Sequence, residues 1–510
     1  MNSSKRESRD KEGSAVAKGY ETVIGLEVHV ELATRTKIFC GCSTAFGAEP
    51  NSHTCPVCTG MPGTLPVLNR KVLEYAVAVG LAVNCHITRH CGFDRKNYFY
   101  PDNPQNYQIS QLYLPVCRDG CLEIDVPAER AKGQPWAGAD CGSGAARGKK
   151  RIGIREIHME EDAGKLIHDE REDCTLVDYN RSGVPLIEIV SEPDMRSAQE
   201  VIAYLEKLRL IIRYLGVSDC RLQEGSMRAD VNLSVRKLGE TAYGTRTEMK
   251  NLNSFHAIAR AVAGERDRQI ALLEAGKAVV QETRRWDDMK GTSFAMRSKE
   301  DAQDYRYFPD PDLVPVHIDD AFLEEIRARQ PELHTEKMAR FRAQYDIPDY
   351  DIEIITESRH MADIFEAAVA LGSQPKKVSN WLMGETLRLL KEKELDPEDI
   401  RFSPEHLAKL IALEESRVIN STVAKEVFVH MFLEDVEPGE YVERHGLNMV
   451  SDEDSLSKVV KEVMAANPKS VEDYRGGKER ALGFLVGQAM KAMKGRGDPA
   501  AVTRMLRELL

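Results

Sequence analysis

The pattern of apolar and polar positions divides the chain near residue 310. The first part contains short runs rich in β-branched residues, which are typical of strands, and longer segments with apolar residues at three- and four-residue spacing, which are typical of amphipathic helices. The strand-like runs are residues 22–30, 152–159 and 186–190, and the helix-like segments are residues 71–83, 198–215 and 255–275. This pattern predicts an α+β domain at 20–312.

After Pro315 the apolar positions follow a helical period almost throughout. The helix-like segments are residues 321–330, 333–345, 361–371 and 380–391. Residues 436–447 contain Pro438, Gly439 and Gly446, which is typical of a hinge before a last set of short helices. We therefore expect a helical domain at 313–434 and a small helical tail at 435–510.

Two segments lack an apolar period. Residues 1–19 are charged and carry almost no bulky apolar side chains, so we expect a disordered leader. Residues 127–151 are rich in Ala, Gly, Lys and Arg and predict a loop between two strands. The chain has neither a signal-peptide pattern nor a run of about 18 apolar residues, which predicts a cytoplasmic protein that makes no membrane contact.

Composition changes this picture in one respect. The chain has 510 residues, of which 30% are charged, and its formal net charge is −12. An acidic balance argues against a protein that coats nucleic acid through its overall electrostatic field, although a local basic patch can still exist.

Four of the eleven cysteines form two close pairs, Cys40-Gly-Cys42 and Cys55-Pro-Val-Cys58. Two pairs separated by a loop let four thiolates converge tetrahedrally on one zinc ion, and a reducing compartment disfavours disulfides. The spacing therefore favours Zn²⁺ over two strained disulfides. Because four protein ligands leave no open coordination position, the predicted role of the zinc is structural.

Polar side chains alternate with apolar ones along the first predicted strand. The alternation puts Glu27, His29 and Glu31 on one face and three apolar residues on the other. Carboxylates beside an imidazole can hold a divalent cation or relay a proton. An exposed strand face gives the same pattern, and this strand taken alone favours that simpler explanation.

A dense acidic run at residues 158–165 follows a second predicted strand. Adjacent like charges repel one another unless a cation or water screens them, so this run shifts the balance towards a metal site. Hard oxygen ligands with few nitrogen or sulfur partners favour Mg²⁺. The alternation leaves open whether Glu160 or Glu161 faces Glu27, because the apolar register slips between residues 154 and 157.

A third polar group lies in residues 223–232, where a glycine turn precedes a strand that puts Arg228, Asp230 and Asn232 on one side. Arg228 could stabilise phosphate charge while Asp230 holds a cation, but a structural ion pair explains the same residues equally well. The next polar stretch, residues 248–255, precedes a predicted helix whose N-terminus could bind an anion.

Common catalytic fingerprints are missing from the sequence. The glycine-rich residues 144–150 lack the spacing and the Ser or Thr of a P-loop, and neither a GxSxG elbow nor an HExxH helix occurs. A serine hydrolase and a zincin are therefore disfavoured.

Many strings of the chain resemble the family of aspartyl/glutamyl-tRNA amidotransferase B subunits, and together they cover residues 20–510. The strings are 21–29 (ETVIGLEVH), 93–102 (FDRKNYFYPD), 158–165 (HMEEDAGK), 183–194 (GVPLIEIVSEPD), 250–255 (KNLNSF), 281–285 (QETRR), 304–309 (DYRYFP), 379–384 (SNWLMG) and 484–488 (FLVGQ). The resemblance implies a cradle-shaped catalytic domain, a helical domain and a YqeY-like helical tail. The chain after Pro315 is too short to contain the large synthetase-like inserted domain of the related archaeal Glu-specific subunit. The resemblance is therefore to the bacterial-type protein.

The resemblance also implies an activity. A member of this family assembles with an amidase, which is the A subunit, and with a small C subunit. It uses ATP and Mg²⁺ to phosphorylate the side-chain carboxylate of Glu-tRNA(Gln) or Asp-tRNA(Asn). Ammonia, which the amidase takes from glutamine, then displaces phosphate. Some family members lack the four cysteines, which supports a structural rather than a catalytic role for Zn²⁺.

Site residues follow from the resemblance by position. The catalytic metal-binding residues are Glu27, His29, Glu161 and Asp230, with Glu160 and Glu188 as further Mg²⁺ ligands. Candidate contacts to ATP phosphate or to the tRNA acceptor end are Lys165, Arg228 and Lys250. Candidate contacts of the tail to the tRNA backbone are Lys491, Lys494 and Arg496. For the tail, an ordinary charged helix exterior is the alternative.

Two other classes of function stay open at this level. One is a non-catalytic, zinc-containing tRNA-binding module whose carboxylates line a solvated face. The other is an ATP-grasp-like ligase that acts on a free amino acid without tRNA. Which misacylated tRNA is used depends on the synthetases in the cell and not on this sequence.

Overall fold

A computed structural model of the protein describes residues 16–17, 19–127, 147–169, 171–298, 304–449, 453–493 and 497–510. The chain divides into two compact units between Leu333 and His334. The first unit is a mixture of strands and helices and the second is helical, which confirms the predicted fold class. The predicted domain boundaries after residues 312 and 434 stay predictions.

Seventeen described strands lie in the first unit. They are β1 (Val16–Ala17), β2 (Tyr20–Glu31), β3 (His86–Ile87), β4 (His90–Cys91), β5 (Asp94–Asn97), β6 (Tyr107–Ser110), β7 (Cys117–Pro127), β8 (Arg147–Glu161), β9 (Lys165–Asp169), β10 (Cys174–Asp178), β11 (Pro185–Ser191), β12 (Met227–Lys237), β13 (Thr247–Lys250), β14 (Glu282–Asp287), β15 (Thr292–Ser298), β16 (Phe308–Pro309) and β17 (Val316–His317). Its described helices are α1 (Arg70–Ala82), α2 (Ala198–Leu215), α3 (Phe255–Glu274) and α4 (Asp320–Arg329).

One ten-stranded sheet organises this unit. Its strand order is β15-β14-β13-β12-β2-β11-β8-β7-β3, and β1 pairs with β2. The long strand β2 therefore lies near the middle, between β12 and β11. Smaller sheets are formed by β16-β5-β6, β9-β10 and β4-β17.

Two predicted irregular segments are shorter than expected. Val16 and Ala17, which were assigned to the leader, pair with the start of β2, and the other leader residues up to 15 lie outside the described residues. In the predicted loop 127–151, Pro127 is the last residue of β7 and Arg147 to Arg151 belong to β8, because the two strands pair across the sheet. The rest of that loop, residues 128–146, lies outside the described part of the chain.

One face of the sheet is apolar and is covered by helices. Alternation in β2 buries Leu26, Val28 and Val30 completely or nearly so, and α2 and α3 pack against β7 and β12 on the same core. Helix α2 begins at Ser197, whose side chain accepts from the Glu200 N–H, and ends at Gly216 in the left-handed conformation. The opposite face of the sheet keeps the polar residues.

The mid-helix residue Gly80 permits the close approach of α1 to this sheet. A Cβ at this position would lie 2.3 Å from the Sγ of buried Cys117 and 3.0 Å from Cδ1 of Ile87. Gly80→Ala should therefore destabilise the first unit by about 1–3 kcal/mol through overpacking. A Cβ on Gly487, also mid-helix, meets nothing within 4 Å, so Gly487→Ala should stabilise its helix by about 0.5–1 kcal/mol.

Hydrogen exchange of peptides from the two helices in the full chain measures both effects. We expect faster exchange in α1 for Gly80→Ala and slower exchange around residue 487 for Gly487→Ala. Equal protection of α1 in wild type and Gly80→Ala would show that the packing at Cys117 relaxes without cost.

The second unit consists of helices joined by short connections. They are α5 (His334–Gln344), α6 (Asp349–Glu357), α7 (Arg359–Ala370), α8 (Pro375–Trp381), a π-helical turn (Leu382–Thr386), α9 (Leu387–Lys393), a 3₁₀ turn (Pro397–Asp399), α10 (Pro404–Glu415), α11 (Ser421–Glu434), α12 (Pro438–His445), α13 (Glu453–Ala466), α14 (Pro468–Arg475), α15 (Arg480–Ala492) and α16 (Pro499–Leu509). Two apolar clusters hold it together, one within α5 to α12 and one within α13 to α16.

None of the described helices combines the length and the apolar character that a bilayer-spanning helix requires.

Candidate functional site

Four neighbouring strands bring polar side chains to one face of the large sheet. In β2, Glu27 and His29 alternate with fully buried apolar residues. Asp230 of β12 pairs with Glu27, and Glu188 of β11 pairs with His29. Across the next strand pair, Glu188 is opposite His158 of β8. The antiparallel register therefore collects on one surface residues that are more than a hundred positions apart in sequence.

The first group on this face consists of His29, Glu160 and Glu188. One ligand atom from each lies within 4.8 Å of the others. The Nε2 atom of His29 is 3.4 Å from Oε1 of Glu160 and 3.5 Å from Oε2 of Glu188. His158 adds a second imidazole, with its Nε2 2.9 Å from Oε2 of Glu188. Two carboxylates and an imidazole at this spacing can hold a divalent cation.

The second group consists of Glu27, Asp230 and Glu248, whose ligand oxygens also lie within 4.8 Å of one another. Lys250 contacts this group, with its Nζ 2.8 Å from Oδ2 of Asp230 and 3.0 Å from Oε1 of Glu248. Asn232 donates a hydrogen bond of 2.9 Å to Glu27. Three carboxylates, two of which contact one ammonium, form an oxygen-rich site of the kind that Mg²⁺ prefers.

Electrostatics shows that this face is short of positive charge. Burial, followed by the charges of Glu188 and Glu248, raises the pKa of Glu27 above its ordinary value. Burial alone would lower the pKa of His29, but the hydrogen bond and charge of Glu188, with Glu160, raise it to about 9. In both residues the neighbouring carboxylates raise the pKa, because carboxylates crowded together stabilise any nearby cation or proton.

Glu161 is not brought to either group. Successive strand residues point to opposite faces, so Glu160 faces the carboxylates and Glu161 turns away. Its carboxylate accepts from the backbone N–H of Ile109 at 2.9 Å and from the side chain of Gln105. Burial raises the pKa of Glu161 to about 8. It lines a separate cavity of about 230 Å³ that also contains Cys58.

The three predicted basic contacts have different surroundings. Lys250 bridges the second carboxylate group, as described above. Arg228 lies on the same face, opposite His29, and its Nη2 is 3.0 Å from Oδ2 of Asp162. Lys165 is exposed and pairs with Asp178 in the ribbon of β9 and β10, so the structure does not place it with the carboxylates.

Cys40, Cys42, Cys55 and Cys58 converge, with their sulfur atoms within 4.8 Å of one another. Cys58 also accepts a 3.2 Å hydrogen bond from the Cys55 N–H. A hydrogen bond from Cys40 is the main cause that lowers the pKa of the Cys58 thiol to about 4. Four convergent sulfurs, one of them already favouring the thiolate, fit a tetrahedral zinc site.

The sequence pattern did not predict two members of the site, Glu248 and His158, as ligands. Glu248 lies in β13, a strand of four residues in which Thr247 and Met249 are buried and the residues next to them are not. This alternation was the available signal, but four residues are few for a pattern. His158 was seen only as part of the acidic run, and its Nδ1 is buried without a hydrogen-bond partner among the described residues.

Of the predicted tail contacts, Lys491 is exposed near the end of α15. Lys494 and Arg496 lie outside the described residues. Arg504 and Arg507 are exposed one turn apart on α16, beside the exposed Glu508, so this part of the unit presents basic side chains.

The sheet and its carboxylate groups lie in a region that matches a known catalytic domain. The profile of the GatB/GatE catalytic domain matches residues 22–324, and the profile of the GatB domain matches residues 363–510. Fold and site thus define a protein of the GatB/GatE type.

Relatives extend the match to nearly the whole chain. The aspartyl/glutamyl-tRNA(Asn/Gln) amidotransferase B subunit of Agathobacter rectalis is 65% identical over 97% of this chain and 100% of its own. The proteins of the same name from Lachnoclostridium phytofermentans and Caldicellulosiruptor bescii are 63% and 54% identical, over 97% and 96% of this chain and 99% of their own lengths. The chain belongs to the family of aspartyl/glutamyl-tRNA(Asn/Gln) amidotransferase B subunits.

Proposed function

We propose that this protein is the subunit that activates and amidates the misacylated amino acid in a tRNA-dependent amidotransferase, a glutamine-dependent C–N ligase. Its substrates are Glu-tRNA(Gln), Asp-tRNA(Asn) or both, together with ATP. The observation that carries this proposal is the pair of carboxylate-rich groups on one face of the sheet, each with ligand atoms close enough together to hold a cation. Support comes from the relatives, whose names state the amidotransferase activity and the tRNA.

Chemistry explains why ATP is needed. Ammonia and a carboxylate form only a salt, so the side-chain carboxylate must first be converted into a better acyl donor. One of its oxygens attacks the γ-phosphorus of ATP, which forms an acyl phosphate and releases ADP. Ammonia then attacks the carbonyl carbon, the C–O bond to phosphate breaks, and the amide and inorganic phosphate are released.

The carboxylate groups are suited to Mg²⁺, which when bound would supply positive charge against the phosphates. Glu27, Asp230 and Glu248 would hold one ion, and His29, Glu160 and Glu188 a second. The ammonium of Lys250 already lies between two of these carboxylates, so it can remain as a phosphate contact at the edge of the group. Arg228 holds Asp162 at the other end of the face.

Zinc at the four cysteines has a different role in this proposal. Four thiolates close the coordination sphere, so the ion fastens the loop that carries Cys40 to Cys58 and takes no part in the reaction. The loop contacts the rest of the first unit at Ser182, whose hydroxyl donates a 3.1 Å hydrogen bond to the Cys58 carbonyl.

Cys58→Ser should therefore remove the zinc and loosen this loop. We expect the zinc content of the purified protein to fall from about one ion per chain to well below half, and hydrogen exchange of residues 40–69 to accelerate. Cys174→Ser, which changes an exposed cysteine, is the matched control and should keep the zinc. A full zinc complement in Cys58→Ser, or none in the wild type, would contradict the assignment.

The partners follow from the proposed reaction. Ammonia would come from an amidase subunit that hydrolyses glutamine. The family resemblance adds a small third subunit, which completes the cytoplasmic heterotrimer. The tail, with exposed Lys491, Arg504 and Arg507, would contact the tRNA backbone.

The test is an amidation assay of the complex, purified after co-expression of the three subunits. We expect amide formation on Glu-tRNA(Gln) or Asp-tRNA(Asn) that requires ATP, Mg²⁺ and glutamine or ammonia. Amidation of free glutamate or aspartate without tRNA would instead indicate the ligase of free amino acids. ATP-independent tRNA binding with no amidation would indicate a binding module.

A further inference from the structure

A group of aromatic rings lies beside the carboxylate face without a role in the reaction just proposed. The ring of Tyr305 packs edge-to-face against Tyr98 and Tyr307, with centroid distances of 6.1 Å and 6.2 Å. All three rings are only partly buried. They come from two distant parts of the chain, the end of β5 and the segment before β16.

The contacts of Asn97 fix these two parts together. Its backbone N–H donates to the Tyr305 carbonyl at 2.9 Å, and its side-chain amide donates to the Arg306 carbonyl at 2.8 Å. Phe308 of β16 pairs with Arg95 of β5 immediately afterwards. The position of Tyr305 is therefore set by the backbone of β5 and not by a free loop.

This arrangement adjoins the first carboxylate group. Strand β5 pairs with β6, and at the end of β5 that carries the rings the Tyr98 N–H donates a 3.1 Å hydrogen bond to the Asn106 carbonyl. In β6 the side-chain amide of Gln108 donates a 2.8 Å hydrogen bond to the backbone carbonyl of Glu161, the residue after Glu160. Burial raises the pKa of both Tyr98 and Tyr307, and the negative charge of Glu160 raises each of them further. The effect of this charge shows that Tyr98 and Tyr307 lie within electrostatic reach of Glu160.

Positive charge is interleaved with the rings. The Nζ atom of Lys96 is 5.1 Å from the ring centre of Tyr305 and 6.0 Å from that of Tyr98. Within the described part of the chain Lys96 has no carboxylate partner, and the side chain of Arg306 is exposed. Next to Tyr98 the chain continues with Phe99, which is 80% exposed.

We propose that the surface formed by Lys96, Tyr98, Phe99, Tyr305 and Arg306 binds the unpaired 3′-terminal nucleotides of the aminoacyl-tRNA. This inference rests on the proposed function. Aromatic side chains that alternate with lysine and arginine are the usual way in which proteins bind single-stranded nucleic acid, because bases stack on the rings while the cations contact phosphates. We call these five residues the aromatic surface.

Position supports this occupant. The amino acid is esterified to the last nucleotide, and its side-chain carboxylate must reach the cation groups. Because one amino acid spans only about 3.5 Å of chain plus its side chain, the last nucleotide has to lie next to these groups. Tyr98 is within electrostatic reach of Glu160, Tyr305 packs against Tyr98, and the exposed Phe99 is the next residue of the chain.

The adenine of ATP is the other base that this site must accommodate. A single adenine occupies one stacking position, whereas the aromatic surface offers three rings, one of which is almost fully exposed, and two cations. Several rings with interspersed positive charge match a run of nucleotides better than one base.

The test compares two RNAs on the assembled complex. Affinities are measured by fluorescence anisotropy, without ATP or glutamine, for the intact substrate tRNA and for the same tRNA with its unpaired 3′ nucleotides removed. Wild type should bind the intact tRNA more tightly. Phe99→Ala should weaken binding of the intact tRNA by about 5- to 150-fold and leave the trimmed tRNA unaffected. Tyr305→Ala should act in the same way, and Tyr305→Phe should restore binding.

Phe46→Ala is the matched control, since Phe46 is 81% exposed in the same unit and lies outside the aromatic surface. It should leave both affinities unchanged. The proposal would be overturned if Phe99→Ala and Tyr305→Ala weakened the binding of both tRNAs equally, or weakened neither. A second result would also overturn it: unchanged affinities for both tRNAs together with a raised KM for ATP in the amidation assay. That result would assign the rings to the adenine of ATP. The binding measurement needs no amidation, so its outcome is independent of the proposed reaction.

Discussion

Replacing Glu27 by glutamine should lower ATP-dependent amidation by the assembled complex about 10²–10³-fold, and Asp230→Asn should have an effect of the same order. Glu27 lies in the second carboxylate group with Asp230 and Glu248, so the amide removes one of its negative charges without a change of shape. Loss of one preorganised electrostatic contact in an active site costs a factor of this size.

The measurement is the initial rate of amide formation on misacylated tRNA, together with the glutaminase rate of the partner subunit. Glutaminase activity should be retained, because the change lies in a different subunit. Glu224→Gln is the matched control, since Glu224 is exposed and pairs with Arg221 outside both groups. It should stay within about twofold of wild type. Wild-type rates for Glu27→Gln and Asp230→Asn would exclude this face as the reaction site.

Phe428→Ala should destabilise the helical unit by about 3–5 kcal/mol, the largest stability effect we expect from one substitution. The Phe428 ring is fully buried and lies 5.0 Å from the ring of Trp381 and 5.4 Å from that of Phe402. Truncation leaves a cavity between α11, α8 and the segment before α10, and it removes the aromatic contacts as well.

Hydrogen exchange of peptides from α10 and α11 in the full chain measures this loss, since a chain of two compact units need not unfold in one step. Tyr350→Ala, which removes a ring that is 52% exposed in the same unit, is the control and should change protection little. Unchanged protection in Phe428→Ala would show that the surrounding helices close the cavity.

Alternation along the strands made the carboxylate face predictable in part. The sequence predicted that Glu27 and His29 share one side of β2 and that Arg228 and Asp230 share one side of β12, and the structure places all four on the same face. What alternation cannot supply is the pairing between strands. Only the register shows that Asp230 is opposite Glu27 and that Glu188 is opposite His29.

Glu160 and Glu161 show where this reasoning ends. The pairing of β11 with β8 shifts register between Val190 and Ser191, opposite the residues where the apolar pattern of β8 slips. A bulge inserts one residue and reverses the side that later residues face, so the pattern before it does not determine the pattern after it. The placement of Glu161 with the metal ligands was therefore a choice that periodicity could not test.

In the helical unit, the presence of helices was easier to predict than the points at which a helix is interrupted. Residues 380–391 were predicted as one helix, but they span the end of α8, the π-helical turn and most of α9. At the turn, the Thr386 hydroxyl donates a 3.0 Å hydrogen bond to the carbonyl of Trp381, five residues earlier. A single inserted residue keeps the apolar period nearly intact, so it leaves little signal. Helices α6, α10 and α11 were not predicted individually, although the pattern predicts helix almost throughout this part of the chain.

The most direct test of the central claim is the fate of a side-chain oxygen. Misacylated tRNA is prepared with ¹⁸O in the side-chain carboxylate, and the inorganic phosphate formed during amidation is analysed by mass spectrometry. If this subunit phosphorylates the carboxylate, each amide formed leaves one ¹⁸O atom in phosphate. Phosphate without ¹⁸O, at an undiminished rate of amidation, would mean that ATP is hydrolysed by water and that the carboxylate is never phosphorylated.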